Sequence, residues 1–157
     1  MFKFIENFYV LLIRAGTFLL SFLLLGMRLF WGWQFFSGGW EKFLNIASII
    51  SFFQALGIPF PTINAYIAAS IECFGGLCLL LGLASRLVSI PLMIVMVVAM
   101  VTAHHDVFIN IFSNPVAFTQ QTPFNFFLTA LIVFAFGPGI FSLDALIKRL
   151  FFKKKSF

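Results

Sequence analysis

Two charged side chains stand where apolar residues are expected: Arg28, in an apolar run over about 16–37, and Glu72, in a run from Ile63 to Ala84. An isolated arginine at mid-bilayer costs about 3 kcal/mol even on the lenient insertion scale, and a glutamate is expected to cost a similar amount. Each therefore needs a partner. Arg28 lies about nine residues before a helix end expected at Ser37-Gly38, and Glu72 about nine residues after Ile63. At 1.5 Å per residue both fall about 14 Å below the same surface. This spacing predicts an Arg28–Glu72 ion pair inside the bundle.

The helical faces agree. Arg28 shares its stripe with Gly32, Phe35 and Gly39, with Trp31 beside it; Lys42 would follow if the helix continued that far. Glu72 shares its stripe with Ala65, Ala68, Ala69, Gly75, Gly76 and Leu79, and small residues at these spacings let another helix come close. Further polar groups gather at the same side: Thr102, His104 and His105 end the third apolar run, and Asn125 begins the fourth. An apolar pocket with a few convergent polar groups suits a flat, lipid-soluble ligand. A quinone fits, because its carbonyls accept hydrogen bonds and its reduction consumes protons, which Glu72, Arg28 and a histidine would supply.

Each feature also has a plainer reading. The buried pair would fix helix register alone, and the histidines would be at home in a polar rim. Trp31, Trp33 and Trp40 serve as belt and packing residues. Lys42 beside Glu41 reads as a solvated interfacial pair. Arg86 and Asp144 would pin a turn to the tail helix. Adjacent histidines point about 100° apart on a helix, so no metal site is expected.

Of the 157 residues, 62% are hydrophobic and only 10% charged, with a mean hydropathy of +1.08. A soluble domain carries roughly a quarter charged residues, so this chain reads as an integral membrane protein. The fold class is all-α: a single domain over 1–157, built as a four-helix transmembrane bundle with spans at about 16–37, 63–84, 87–104 and 124–141. Residues 2–14 form an interfacial lead-in. The first external link, 38–62, includes an apolar segment read as a helix lying in the interface, ahead of the "GIPFP" break. "GPGIFSLDAL" stops the fourth helix at Gly137, Pro138 and Gly139, with Ser142 able to cap a new helix and Asp144 in its first turn.

The net charge of +5 is concentrated in a basic tail, 145–157, with Lys148, Arg149, Lys153, Lys154 and Lys155. By the positive-inside rule both termini and the Arg86 turn are cytoplasmic in a bacterial inner membrane. The tail reads as a membrane-surface anchor, not as a nucleic-acid site. Cys73 and Cys78 lie five residues apart on one helix and point away from each other, so no disulfide or thiol redox pair is expected.

The sequence resembles the DoxX/DoxD family of small four-helix membrane proteins, from about Arg28 to Leu146. The carriers are "GMRLFWGWQFFSGGWEKF", "LGIPFP", "ECFGGLCLLLGLASRL", "MVVAMVTAHH" and "FGPGIFSLDAL", in that order. The resemblance implies a membrane component of a redox system, since some relatives are subunits of quinone-linked sulfur oxidoreductases. It also implies that Glu72, Arg86, Arg28, Lys42, Asp144 and one of the two histidines match the polar positions of the family.

The function expected is a redox subunit binding a quinone or similar lipid-soluble molecule in the outer half of the bundle, at Arg28, Glu72, His104, His105, Trp31 and Asn125. Lys42, Arg86 and Asp144 are assigned structural roles. The chain has no redox cofactor motif of its own, so a soluble enzyme partner is implied, and homo-oligomerisation is compatible with it. The alternatives are a non-catalytic membrane anchor for a soluble redox enzyme and a small transporter.

Overall fold

The computed structural model describes residues 2–151, with side chains from Glu6 onward. Lys153, Lys154 and Lys155 of the predicted tail lie outside the described residues. Among the described residues eight helices run in order: α1 (Phe2–Leu44), α2 (Ile46–Ala55), α3 (Pro61–Leu81), α4 (Ser85–Thr102), α5 (His105–Ile109), α6 (Pro115–Thr119), α7 (Thr122–Phe136) and α8 (Leu143–Phe151). The architecture is a helical membrane bundle in which α1, α3, α4 and α7 pack together. α1, α3 and α4 are long and apolar enough to cross a membrane; α7 is shorter, at 15 residues. Phe35, Leu79, Leu92, Met96, Ala130 and Val133, drawn from all four, form the core, and Phe126 stacks against Phe35 with centroids 4.2 Å apart.

α1 does not stop at Ser37-Gly38. It runs on to Leu44, and the break before α2 falls at Asn45. The glycines that read as a helix end are contact residues instead. A side chain on Gly39 would strike the backbone of Cys73, with Cys73 Cα 2.8 Å away, and one on Gly76 would meet Phe35 Cβ at 2.8 Å. Without Cβ atoms there, the two backbones approach closely enough for dispersion to act over a long seam, the device that replaces the hydrophobic effect between helices in lipid.

That seam fixes the register. Gly32 faces Leu80 and Gly39 faces Cys73, so Arg28 is level with the turn after α3 while Glu72 is level with Trp40. The two ions are about 12 residues apart along the axis, roughly 18 Å. The predicted equal depth does not hold, because it assumed a first helix that ended too early.

The turns follow their local chemistry. Gly82 (φ 69°) ends α3 in the left-handed helical conformation, and Gly137 (φ 82°) ends α7 at a positive φ with ψ extended; glycine takes both without strain. Ser142 Oγ accepts from Ala145 N at 3.1 Å and caps α8, as its sequence position predicts. Asp144, in the first turn of α8, reaches across to α4: its two carboxylate oxygens accept from Ala84 N at 2.7 Å and Ser85 N at 3.0 Å. A residue 60 positions away thus caps α4.

Candidate functional site

Glu72 is buried, at 5% exposure, on the face of α3 turned toward α1. Its Oε2 forms a salt bridge and hydrogen bond with Lys42 Nζ, from the last turn of α1. Because α1 continues past Gly38, Lys42 arrives on the stripe it shares with Arg28 and Gly39. Gly38 lies beside the carboxylate, where a Cβ would stand 3.9 Å from Oε2, at ordinary contact distance. Lys42 also sits at a helix C-terminus, where the exposed carbonyls favour a cation. Its side chain is 29% exposed, so the apolar stem is packed while the ammonium group keeps access to the cavity beside it.

That cavity, of about 640 Å³, lies between α2, α3 and α4. Glu72 and Lys42 form one side and Phe52, Phe53 and Leu56 of α2 another, with Ile94, Val95 and Val98 of α4 opposite. Asn64, Thr102 and His104 supply its remaining polar side chains. Asn64 Nδ2 is bound to Pro59 O and the Thr102 hydroxyl donates to Val98 O at 2.7 Å, so the charged pair Glu72 and Lys42, with His104 and the Asn64 carbonyl oxygen, are the groups with capacity to spare. Glu72 Oε1 accepts no hydrogen bond from the described residues, yet it is not sealed off. One carboxylate oxygen is therefore fixed and the other is open to an occupant.

Arg28 takes no part in this site, contrary to the predicted ion pair with Glu72. It is 1% exposed, and its guanidinium donates to carbonyls: Nε to Leu79 O at 2.9 Å, Nη2 to Leu80 O at 3.2 Å, and Nη1 to Phe141 O at 3.1 Å and to Pro138 O. The last carbonyls of α3 and those of the turn before α8 converge on it. They carry the partial negative charge of a helix end and a tight turn, which the planar fork satisfies without a carboxylate.

The other predicted residues separate similarly. His104 lines the cavity, whereas His105 is exposed and contacts Val101 O at 3.2 Å through Nδ1. Trp31 is half-buried and packs edge-on against Phe126, 5.3 Å between centroids, away from the cavity. Asn125 Nδ2 donates to Thr119 O and Gln121 O, closing the turn into α7. Arg86 Nη2 donates to Ala135 O at 3.2 Å. Lys42 changes most: read as a partner of Glu41, it is the partner of Glu72. The signal was its place on the Arg28–Gly39 stripe, legible once the helix is allowed to continue.

A family model described as DoxX matches residues 23–105, the stretch that contains both α1–α3 contacts and Glu72. An uncharacterized protein of Haemophilus influenzae (strain Rd) is 30% identical over 132 residues, covering 82% of this chain and 85% of its own. A Bacillus subtilis (strain 168) protein printed as "Putative oxidoreductase CatD" is 35% identical over 76 residues, 48% of this chain and 55% of its own length. No solved structure matches. On the family match and the near full-length similarity, the chain belongs to the DoxX family of membrane proteins.

Proposed function

We propose that the protein is a membrane subunit of a redox system and binds a quinone, or a similarly flat lipid-soluble carbonyl compound, in the cavity between α2, α3 and α4. The observation that carries the reading is the Glu72–Lys42 pair opening onto an apolar cavity of about 640 Å³, within the usual range for small-molecule sites of roughly 300–1,000 Å³. Lys42 donates to a carbonyl oxygen; on reduction two protons enter from water past His104 at the rim, and the open Glu72 Oε1 accepts a hydrogen bond from a hydroxyl of the hydroquinone formed. The electrons come from a partner. The Bacillus subtilis relative carries the name of an oxidoreductase, which points the same way for that protein. We place the chain in a bacterial cytoplasmic membrane with both termini inside, on the strength of Arg86, Lys148 and Arg149 at one end of the bundle.

The test is titration of the full chain in lipid nanodiscs with decylubiquinone. Saturable binding is expected in the wild type, with at least a tenfold loss in Glu72→Gln and in Lys42→Met, each monodisperse. Equal binding by all three chains would sink the reading. A second reading, a membrane anchor for a soluble enzyme, is favoured by the exposure of every residue from Glu6 to Leu19 on α1. It predicts no quinone binding, and loss of the partner from the membrane when that segment is replaced.

A further inference from the structure

A second cavity, of about 440 Å³, lies at the opposite end of the bundle. The turn Gly137-Pro138-Gly139 forms its floor, with Arg86 of α4 and Lys148 of α8 beside it and Thr17 and Ser21 of α1 across from them. We propose that this cavity binds the phosphodiester headgroup of an anionic phospholipid.

Two cations meet here without a carboxylate partner: the one ion pair among the described residues joins Lys42 to Glu72. Asp144 also lines the cavity, but both of its oxygens are engaged by the Ala84 and Ser85 backbone N–H groups. Its charge also lies within coulombic reach of Arg28, which is bound to the far side of the same turn. Arg86 and Lys148 thus stand as two cations beside one carboxylate whose oxygens are already engaged, and the cavity mouth keeps a net positive charge.

Arg86 is presented rather than merely exposed. One bond, Nη2 to Ala135 O at 3.2 Å, anchors the guanidinium. The group lies over Gly137, its Nε and Nη2 3.5 Å from where a Cβ would stand. A glycine at that position gives the guanidinium a flat seat and leaves its remaining N–H groups for an acceptor, a geometry suited to two phosphate oxygens. Lys148 makes no hydrogen bond among the described residues and supplies a mobile second charge. Thr17 Oγ1 and Ser21 Oγ are turned back to the α1 carbonyls of Ile13 and Thr17, at 2.9 and 3.4 Å.

The remaining wall is apolar. Leu20, Leu24, Phe136 and Ile140 line it, so the cavity has a cationic mouth beside a greasy side, the profile of an amphiphile rather than of a free anion. Basic pockets between spanning helices are a recurrent form of headgroup site. α8 continues the pattern, with Leu146, Ile147 and Leu150 alternating with Lys148 and Arg149 in the manner of a helix lying in the interface.

Native mass spectrometry of the full chain, after exchange into phosphatidylglycerol or phosphatidylcholine, tests the site. The wild type should retain phosphatidylglycerol preferentially. Arg86→Gln with Lys148→Gln should weaken that preference about 30-fold, about fivefold per cation. The triple variant Lys153→Gln, Lys154→Gln, Lys155→Gln should keep most of it. A preference that survives the double variant, or that vanishes with the tail charges alone, overturns the site. Displacement of the lipid by millimolar inorganic phosphate overturns the lipid assignment in favour of a free anion. Should the double variant fail to fold, Lys148→Gln alone decides: a fivefold loss supports the site and an unchanged preference refutes it.

Discussion

The two ends of the bundle each bury an ion, and they do so in opposite ways. At the Arg28 end the guanidinium is saturated: carbonyls of Leu79, Leu80, Pro138 and Phe141 occupy it, and it is 1% exposed. At the Glu72 end the carboxylate has a single partner, one oxygen left open and a cavity beside it. A buried charge whose bonding capacity is used up inside the chain holds structure together. One with capacity to spare is where an outside molecule can be held.

The contrast is sharpest in the response to losing each ion. Arg28→Gln should cost about 3 kcal/mol or more, because buried carbonyls from two turns lose their donor. Thermal unfolding in detergent would show the loss, while the fraction that remains folded should bind quinone normally. A stable Arg28→Gln chain that no longer binds would break the comparison. Gly39→Val should be next, at about 1–3 kcal/mol of overpacking against Cys73, and should also weaken the Lys42–Glu72 contact across the same seam. Gly16→Ala is the control, since nothing lies within 4 Å of that position. It should be neutral or stabilising by up to about 1 kcal/mol.

At the other end, Glu72→Gln should leave stability within about 1 kcal/mol of wild type, yet reduce ligand binding at least tenfold. A double-mutant cycle with Lys42→Met would separate the two quantities: the stability losses should be non-additive, and binding should not be rescued by removing both charges. Asp144→Ala should cost about 1 kcal/mol through the lost cap on α4, read in the same unfolding assay. The smallest effect should come from the histidines. Decylubiquinone titration should find His105→Ala unchanged and His104→Ala weakened a few-fold; equal effects would dissolve the distinction between rim and surface.

Much of the fold was legible because composition and hydropathy carry it. The four apolar runs, the stop at Gly137 and the cap at Ser142 all depend on local chemistry that a sequence displays directly. The partner of Glu72 was not legible in the same way. Gly38 and Gly39 serve equally as a helix end or as a close-contact face, and only the opposing backbone of Cys73 decides between them. The choice moves the end of α1 from Gly38 to Leu44, which replaces Arg28 by Lys42 at the level of Glu72. The carbonyl cage around Arg28 was harder still, since backbone acceptors from two separate stretches of chain leave no side-chain pattern. The cavity itself depends on where α2 lies, and that is set by packing against α3 rather than by residue type.

The 43 residues of α1 make a rod about 64 Å long, roughly twice the thickness of the hydrocarbon layer. To fit inside that layer by leaning alone it would need an inclination of about 60°, beyond the 0–40° seen for spanning helices. A length of α1 therefore stands outside the hydrocarbon, and the segment bearing Glu6, Tyr9 and Arg14 has the composition for it. No break separates that arm from the rest of α1. The arm and Lys42 therefore belong to one unbroken helix, 43 residues from end to end.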